Sequence, residues 1–290
     1  MSNLMIKDGE KLFNDYLQAS GKAHATIIAY TKDIEQLSEF LAGRGRTDLA
    51  TVSAEDLEAY KEYLGKVYRS DKTVSRKVNS VKSYFRYLND NHYIPENPSR
   101  LVSQPQCEQT PPRVLTKTEY RALRDACRGD VRMLAVVETL LQTGMRISEL
   151  ANLKLDDLDF DRGVVNIETE DTHLNRKVPL NETAKKTLQA YLKVRPRARE
   201  KTVFLTKTCK PFLVRNIRKS LDRYFRLAGL GAGVKVNDLR HTFIVEQLRA
   251  GLPMVYVSQI VGHKRLTTTE KYLAFVKMPE YDANIKIDTL

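Results

Sequence analysis

Val261-Gly262-His263-Lys264-Arg265-Leu266-Thr267-Thr268-Thr269-Glu270-Lys271-Tyr272-Leu273-Ala274-Phe275 is the stretch on which the reading of the chain turns. Gly262 can close a helix in the left-handed conformation that glycine adopts without a Cβ penalty. Thr267 followed by Glu270 has the spacing of a capping box, which predicts a new helix carrying Tyr272 in its first turns. His263 falls at the end of the preceding helix, nine residues before the tyrosine. A fixed corner, a capped turn and a tyrosine at this distance form a device for presenting a phenol. Working outward, the upstream chain holds an arginine in Gly144-Met145-Arg146-Ile147-Ser148-Glu149-Leu150 and another in Asn237-Asp238-Leu239-Arg240-His241-Thr242-Phe243.

These residue types suit one chemistry. A phosphodiester is an anion that resists attack, so a catalyst must neutralise it, supply a nucleophile and protonate the leaving oxygen. Arginine stays charged at any working pH, and its planar fork matches two phosphate oxygens. A tyrosine hydroxyl can attack phosphorus once it loses its proton, which its pKa of about 10 resists at neutral pH.

Taken together and in this order, the three segments resemble the tyrosine recombinases, or phage integrase family, and in particular its short Xer-like members. The resemblance covers nearly the whole chain. It implies a mainly α protein in which a helical core-binding domain precedes an α+β catalytic domain with a small antiparallel sheet. It implies Arg146, Arg240, His263 and Tyr272 as catalytic residues, a 3′-phosphotyrosyl intermediate, and no need for ATP, metal or other cofactor. Double-stranded DNA is the implied partner, held by two domains in a C shape. A homo-tetramer is implied on two sites, with the tail after Tyr272, including Phe275, Tyr281 and Ile285, exchanged between subunits.

Two family features are absent. The family has a histidine or lysine three residues before the second arginine, where this chain has Asn237; asparagine can donate to a phosphate oxygen but carries no proton at neutral pH. The family also has a lysine in a hairpin turn that protonates the leaving 5′ oxygen. Here the turn runs Glu168-Thr169-Glu170-Asp171-Thr172-His173-Leu174-Asn175-Arg176-Lys177, which leaves His173 and Lys177 as alternative acids. His24 and His92 have no motif supporting a catalytic role, and His241, which follows Arg240, reads as structural.

The totals agree with this reading. At 290 residues two domains are the natural division. Forty-eight basic against 36 acidic residues give a net charge of +12, which calls for a polyanion: nucleic acid first, an anionic membrane surface second. Cys107, Cys127 and Cys209 are scattered without metal-ligand spacing, as in a reduced cytoplasm. No apolar run approaches a membrane span or signal peptide.

Residues 1–102 read as helices. In the one over 74–88, Val74, Val78, Val81, Phe85 and Leu88 face a core, while Arg76, Lys77, Lys82 and Arg86 form a DNA-facing surface. Residues 103–112 are a proline-marked linker, and the catalytic domain spans 113–290 with a tail over 273–290. Thr116 and Glu119 predict its first cap. Helices are expected near 131–142, 182–194, 213–228, 241–249 and 253–261. Strands are expected at 164–167 and 176–180, with a third at 202–206. The function implied is site-specific recombination through a Holliday junction, with resolution of dimers or mobile-element cointegrates favoured over phage integration. The other readings are a type IB topoisomerase-like nicking enzyme and a non-catalytic DNA-binding protein of the same fold.

Overall fold

The computed structural model of the chain describes residues 4–22, 24–106, 110–168, 175–231 and 233–276. It divides into two units, residues 1–110 and 111–290. Most of the described chain is helical, and its sheet has three antiparallel strands. No described helix is long and apolar enough to cross a membrane.

The first unit is built from α1 (Ile6–Ala19), α2 (His24–Gly43), α3 (Ala54–Val67) and α4 (Asp71–Asp90). Phe13, Leu17, Ile34, Leu37, Leu57, Tyr60, Val78, Phe85 and Leu88 meet in its core. The start of α3 is held by Ser53 and Asp56, whose side chains each accept the other's backbone N–H.

One predicted DNA-facing residue is inside. Lys77 lies three residues after Val74 and four before Val81, so helical periodicity places it in the apolar stripe rather than beside it. Its ammonium is buried, donating to Asp33 Oδ1 and Gln36 Oε1, both at 2.8 Å. Arg76 grips the same carboxylate with both terminal nitrogens, at 2.6 and 2.9 Å, though its side chain stays half exposed. Ser80 donates a further bond of 2.7 Å to Asp33. Burial alone would raise the Asp33 pKa, but the bonds from Arg76, Lys77 and Ser80 outweigh it and hold it below 3.8.

The second unit opens with α5 (Lys117–Cys127), capped by Thr116 and Glu119 as predicted. The buried helix α6 (Val131–Thr143) ends at Gly144, whose φ of 61° is left-handed, and α7 (Ile147–Asn152) follows. Strands β1 (Leu158–Asp159), β2 (Val164–Ile167) and β3 (Arg176–Pro179) form the sheet in that order. Then come α8 (Glu182–Val194), α9 (Val214–Leu227), α10 (Val236–Arg249), α11 (Met254–Val261) and the four-residue α12 (Thr267–Glu270). Helix α6 packs on α5, α8 and α10, and α11 packs on β3 and α10.

Three expectations fail here for physical reasons. Residues 202–206 form no strand of the sheet: Val203 donates to Leu153 O, and Arg195 takes the carbonyls of Glu200, Thr202 and Val203. A side chain and a loop thus satisfy what a ladder would have. Helix α10 starts five residues early because the Asp238 carboxylate accepts the Lys235 N–H at 2.7 Å, placing Arg240 inside the helix rather than before it. Thr267 caps nothing; Leu266 occupies the N-cap of α12, and Tyr272 lies beyond that helix, at the start of a 3-10 turn over Leu273–Phe275.

Removing Asp33 from the first unit should strand a buried ammonium. Asp33→Ala is expected to destabilise by about 3–5 kcal/mol, against about 1 kcal/mol or less for the half-exposed Arg76→Ala. Urea unfolding of the full chain measures both, and equal losses would refute a buried role for Lys77. Because the folded pKa of Asp33 is depressed, its contribution is complete above the ordinary value of 3.8 and fades as pH falls through the lowered one.

Candidate active site

The last carbonyls of a helix have no intrahelical donor, and the helix dipole makes that end negative. At the end of α11 three arginines take them in succession. Arg176 Nε donates to Ile260 O at 2.7 Å, Arg240 Nη2 to Val261 O at 2.6 Å, and Arg146 Nη2 to Gly262 O at 3.1 Å. Gly262 turns the chain with φ 69°, and the His263 N–H returns to Ser258 O at 3.0 Å. A side chain at Gly262 would be strained, and its Cβ would lie 2.9 Å from Arg176 Nη1. The glycine therefore serves both the turn and the approach of the guanidinium.

Glu149 joins two of these arginines. Its carboxylate accepts the Arg146 N–H at 2.7 Å and Arg146 Nη1 at 2.9 Å, and it takes a two-pronged contact from Arg176 at 3.0 and 2.8 Å. Burial alone would raise the Glu149 pKa; the bonds and charges of Arg176 and Arg146 outweigh it and hold it low. Arg240 also donates to Gly144 O at 2.5 Å, tying α10 to the turn after α6. Burial, then the charge of Arg146, pushes Arg240 down to about 10, so it remains protonated at neutral pH. Among the described residues, three guanidiniums meet one carboxylate here, a net positive charge. Arg146 keeps 26% of its side chain exposed, whereas Arg176 keeps 6%.

Tyr272 and the two histidines complete the cluster. The phenol is buried among Phe243, Ile244, Leu248, Val257 and Val261. Its hydroxyl lies 2.7 Å from His241 Nδ1. Burial raises the Tyr272 pKa, and the charge of Arg240 acts against that rise. The His263 ring stacks on Tyr272 with centroids 6.3 Å apart, and its Nδ1 shares a 2.8 Å hydrogen bond with the Thr269 hydroxyl. Burial, then Arg240, Arg146 and Arg176, lowers His263 to about 4, so it is neutral at pH 7.

Arg146, Arg240, His263 and Tyr272 are thus brought together. Asn237 is exposed in the first turn of α10. Lys177 is exposed on β3, because strand alternation turns Arg176 and Val178 inward and Lys177 outward. His173, Tyr281 and Ile285 lie outside the described residues. On α4 Lys82 is half-buried and Arg86 exposed; both line a 260 Å³ cavity with Asn97 and Arg100.

Sequence reasoning missed three features. Arg176 stood inside the quoted hairpin, and its i,i+2 relation to an apolar strand position was the available signal. His241 was read as structural, although it follows Arg240 in the second arginine motif. Helix α9 places Ile217, Leu221, Tyr224 and Phe225 inward and exposes Arg215, Arg218 and Lys219 on its other face, a periodicity visible in the sequence.

Comparison with known proteins gives the family and the fold. Residues 113–277 match the phage integrase family, and residues 11–92 match the phage integrase N-terminal SAM-like domain. Tyrosine recombinase XerC of Lactobacillus leichmannii is 31% identical over 275 residues, covering 91% of this chain and 92% of the relative. The Tn1549 transposon integrase in complex with a circular intermediate DNA superposes with a TM-score of 0.77 at 21% identity, over 91% of this chain and 94% of that one. A lambda integrase tetramer bound to a Holliday junction gives 0.75 at 16% identity, over 91% and 79%. With a family match over residues 113–277 and a relative 31% identical over 91% of this chain, the chain belongs to the phage integrase family of tyrosine recombinases, enzymes that transfer DNA strands.

Proposed function

We propose that this chain is a site-specific recombinase that cuts and rejoins duplex DNA through a 3′-phosphotyrosyl intermediate and a Holliday junction. The observation that carries the reading is a tyrosine hydroxyl set beside a hollow of three guanidiniums and one carboxylate. Arg146 and Arg240 neutralise the scissile phosphate, His263 donates to it, and Tyr272 attacks. The bond energy is kept in the phosphotyrosine, so rejoining needs neither ATP nor a metal. Asn237 can add a donor at the phosphate from the first turn of α10. Arg176 positions the others by tying Glu149 to the end of α11.

Residues 1–102 act in this reading as the DNA-binding domain, 103–112 as linker and 113–290 as the catalytic domain. The assembly is a homo-tetramer on two sites that exchanges tails, working in the cytoplasm to resolve dimers or mobile-element cointegrates. The fold likeness to a tetrameric integrase on a Holliday junction supports that assembly.

Selection gives the direct test. From a pool of nicked duplexes of random sequence, the full chain should trap covalent adducts without added metal. On a duplex so selected, Tyr272→Phe should form none yet retain binding, and Arg146→Ala should lose about 100-fold or more in rate. A pool yielding no adduct points to a non-catalytic DNA-binding protein, and an adduct surviving Tyr272→Phe places the nucleophile elsewhere.

Binding should weaken with salt, log K falling by about 0.9 per neutralised phosphate per decade. Lys82→Ala with Arg86→Ala should flatten that slope, as should Arg215→Ala with Arg218→Ala on α9. Lys77→Ala should leave it unchanged while lowering stability. A slope unaffected by either pair removes that helix from the DNA surface.

The leaving 5′ oxygen needs a proton, whereas a 5′ thiolate does not. If His173 or Lys177 is the acid, its alanine variant should cleave ordinary DNA slowly and recover on a bridging 5′-phosphorothiolate. Two variants at the wild-type rate on ordinary DNA would leave neither as the acid.

A further inference from the structure

We infer that His241 is the proton acceptor for the Tyr272 hydroxyl during cleavage and returns that proton when the strand is rejoined, an inference that rests on Tyr272 being the nucleophile. Its Nδ1 is 2.7 Å from the phenolic oxygen, within the reach required of a general base. A phenol of ordinary pKa is ionised in about one molecule per thousand at pH 7, and burial of Tyr272 makes ionisation harder still. A base in contact with the hydroxyl therefore bears directly on the rate.

The competing groups are otherwise engaged. His263 has its Nδ1 on the Thr269 hydroxyl and presents a ring face, not that nitrogen, to the phenol. Asn237 cannot take a proton and is exposed a full turn earlier on α10. His241 follows Arg240, whose two bonds to the carbonyls of Gly144 and Val261 fix this turn of the helix. The imidazole is thereby held in place by the same contacts that hold the arginines.

Charge at His241 suits the role. Burial lowers its pKa, Asp238 on the same helix acts to raise it, and Arg240 lowers it further. Tyr272 and His263 face it from the segment after α11, both neutral at pH 7. The imidazole is therefore neutral at working pH, as an acceptor must be, with its remaining proton on Nε2.

The step balances. The Oη–H bond breaks and the proton goes to Nδ1; the oxygen lone pair forms the bond to phosphorus. The bond from phosphorus to the 5′ oxygen breaks with its electron pair on that oxygen, which takes a proton from a hairpin acid or water. In rejoining, a 5′ hydroxyl attacks phosphorus and gives its proton to the hairpin group or water that supplied it; the bond from phosphorus to the Tyr272 oxygen breaks, and the departing phenolate recovers its proton from the His241 imidazolium.

The selected nicked duplex with a bridging 5′-phosphorothiolate isolates this step, since its leaving group needs no proton. On it, wild-type single-turnover cleavage should rise with pH through a midpoint below 6.5 and then level. His241→Gln, which can still accept the phenol's hydrogen bond, should cleave about 100-fold slower and lose that limb. Unlike a variant of the leaving-group acid, it should be equally slow on the thiolate and ordinary substrates. A His241→Gln enzyme as fast as wild type, or faster, would make His241 a resting place for the phenol and overturn the inference, as would survival of the limb. Nitrogen NMR of labelled histidine in the wild type needs no variant: Nδ1 should be unprotonated at pH 7, and a proton found there also overturns it. Absence of any wild-type adduct would instead sink the assignment of Tyr272.

Discussion

Three unpartnered carbonyls at the end of α11 and three arginines from three other elements satisfy one another, and the site is assembled by that exchange. The arginines come from the turn before α7, from β3 and from α10, segments far apart in sequence. Each would be costly to bury alone, and each carbonyl would be costly to leave dry. Because the three carbonyls are consecutive, the guanidiniums cannot be placed independently. The Gly262 turn then carries His263 away from the same point, and Tyr272 follows nine residues later. The cations are thus fixed at a helix end, to which the phenol is joined through the Gly262 turn and α12.

Charge separates two kinds of cation in this chain. Asp33 is matched by Arg76 and Lys77 in the interior of a helical unit, and the cluster is closed on itself by Ser80 and Gln36. Glu149 is likewise gripped by two arginines, but a third approaches the same helix end without a carboxylate of its own. Helix-end carbonyls carry only partial charge, so the second cluster keeps an electrostatic demand for an anion. Burial first, and then the charge of the neighbouring guanidiniums, lowers the pKa of both His263 and Arg240, the groups that must share the hollow.

What the sequence made legible follows from how local each feature is. The corner at Gly262, the cap at Thr116 and the hairpin strands depend on residues within a few positions of one another, and they are where the sequence placed them. The four residues expected to act together, Arg146, Arg240, His263 and Tyr272, were legible as ordered motifs. Arg176 was not, because its partners Glu149 and Ile260 lie 27 and 84 residues away. Lys77 was misread for the opposite reason: a local periodicity was available, but a charged residue in an apolar stripe looked like surface until Asp33 was found beneath it. Thr267 had a capping box in its spacing, yet Leu266 took the N-cap, while the next threonine but one, Thr269, bonds the half-buried His263 imidazole.

The sheet adds a constraint on how the leaving strand is released. Ile167 pairs with Arg176 and Val165 with Val178, so that face of the hairpin is the one that meets α11 and Glu149. Side chains alternate along a strand, and Lys177 must then point the other way. A slip of one residue would bring Lys177 to Glu149 and turn Arg176 to solvent, exchanging a two-pronged grip for a single ammonium. The bonds from Arg176 to Glu149 and Ile260 oppose that slip. Any acid supplied by this hairpin therefore comes from its turn or its outer face, while its inner face is committed to holding the arginines.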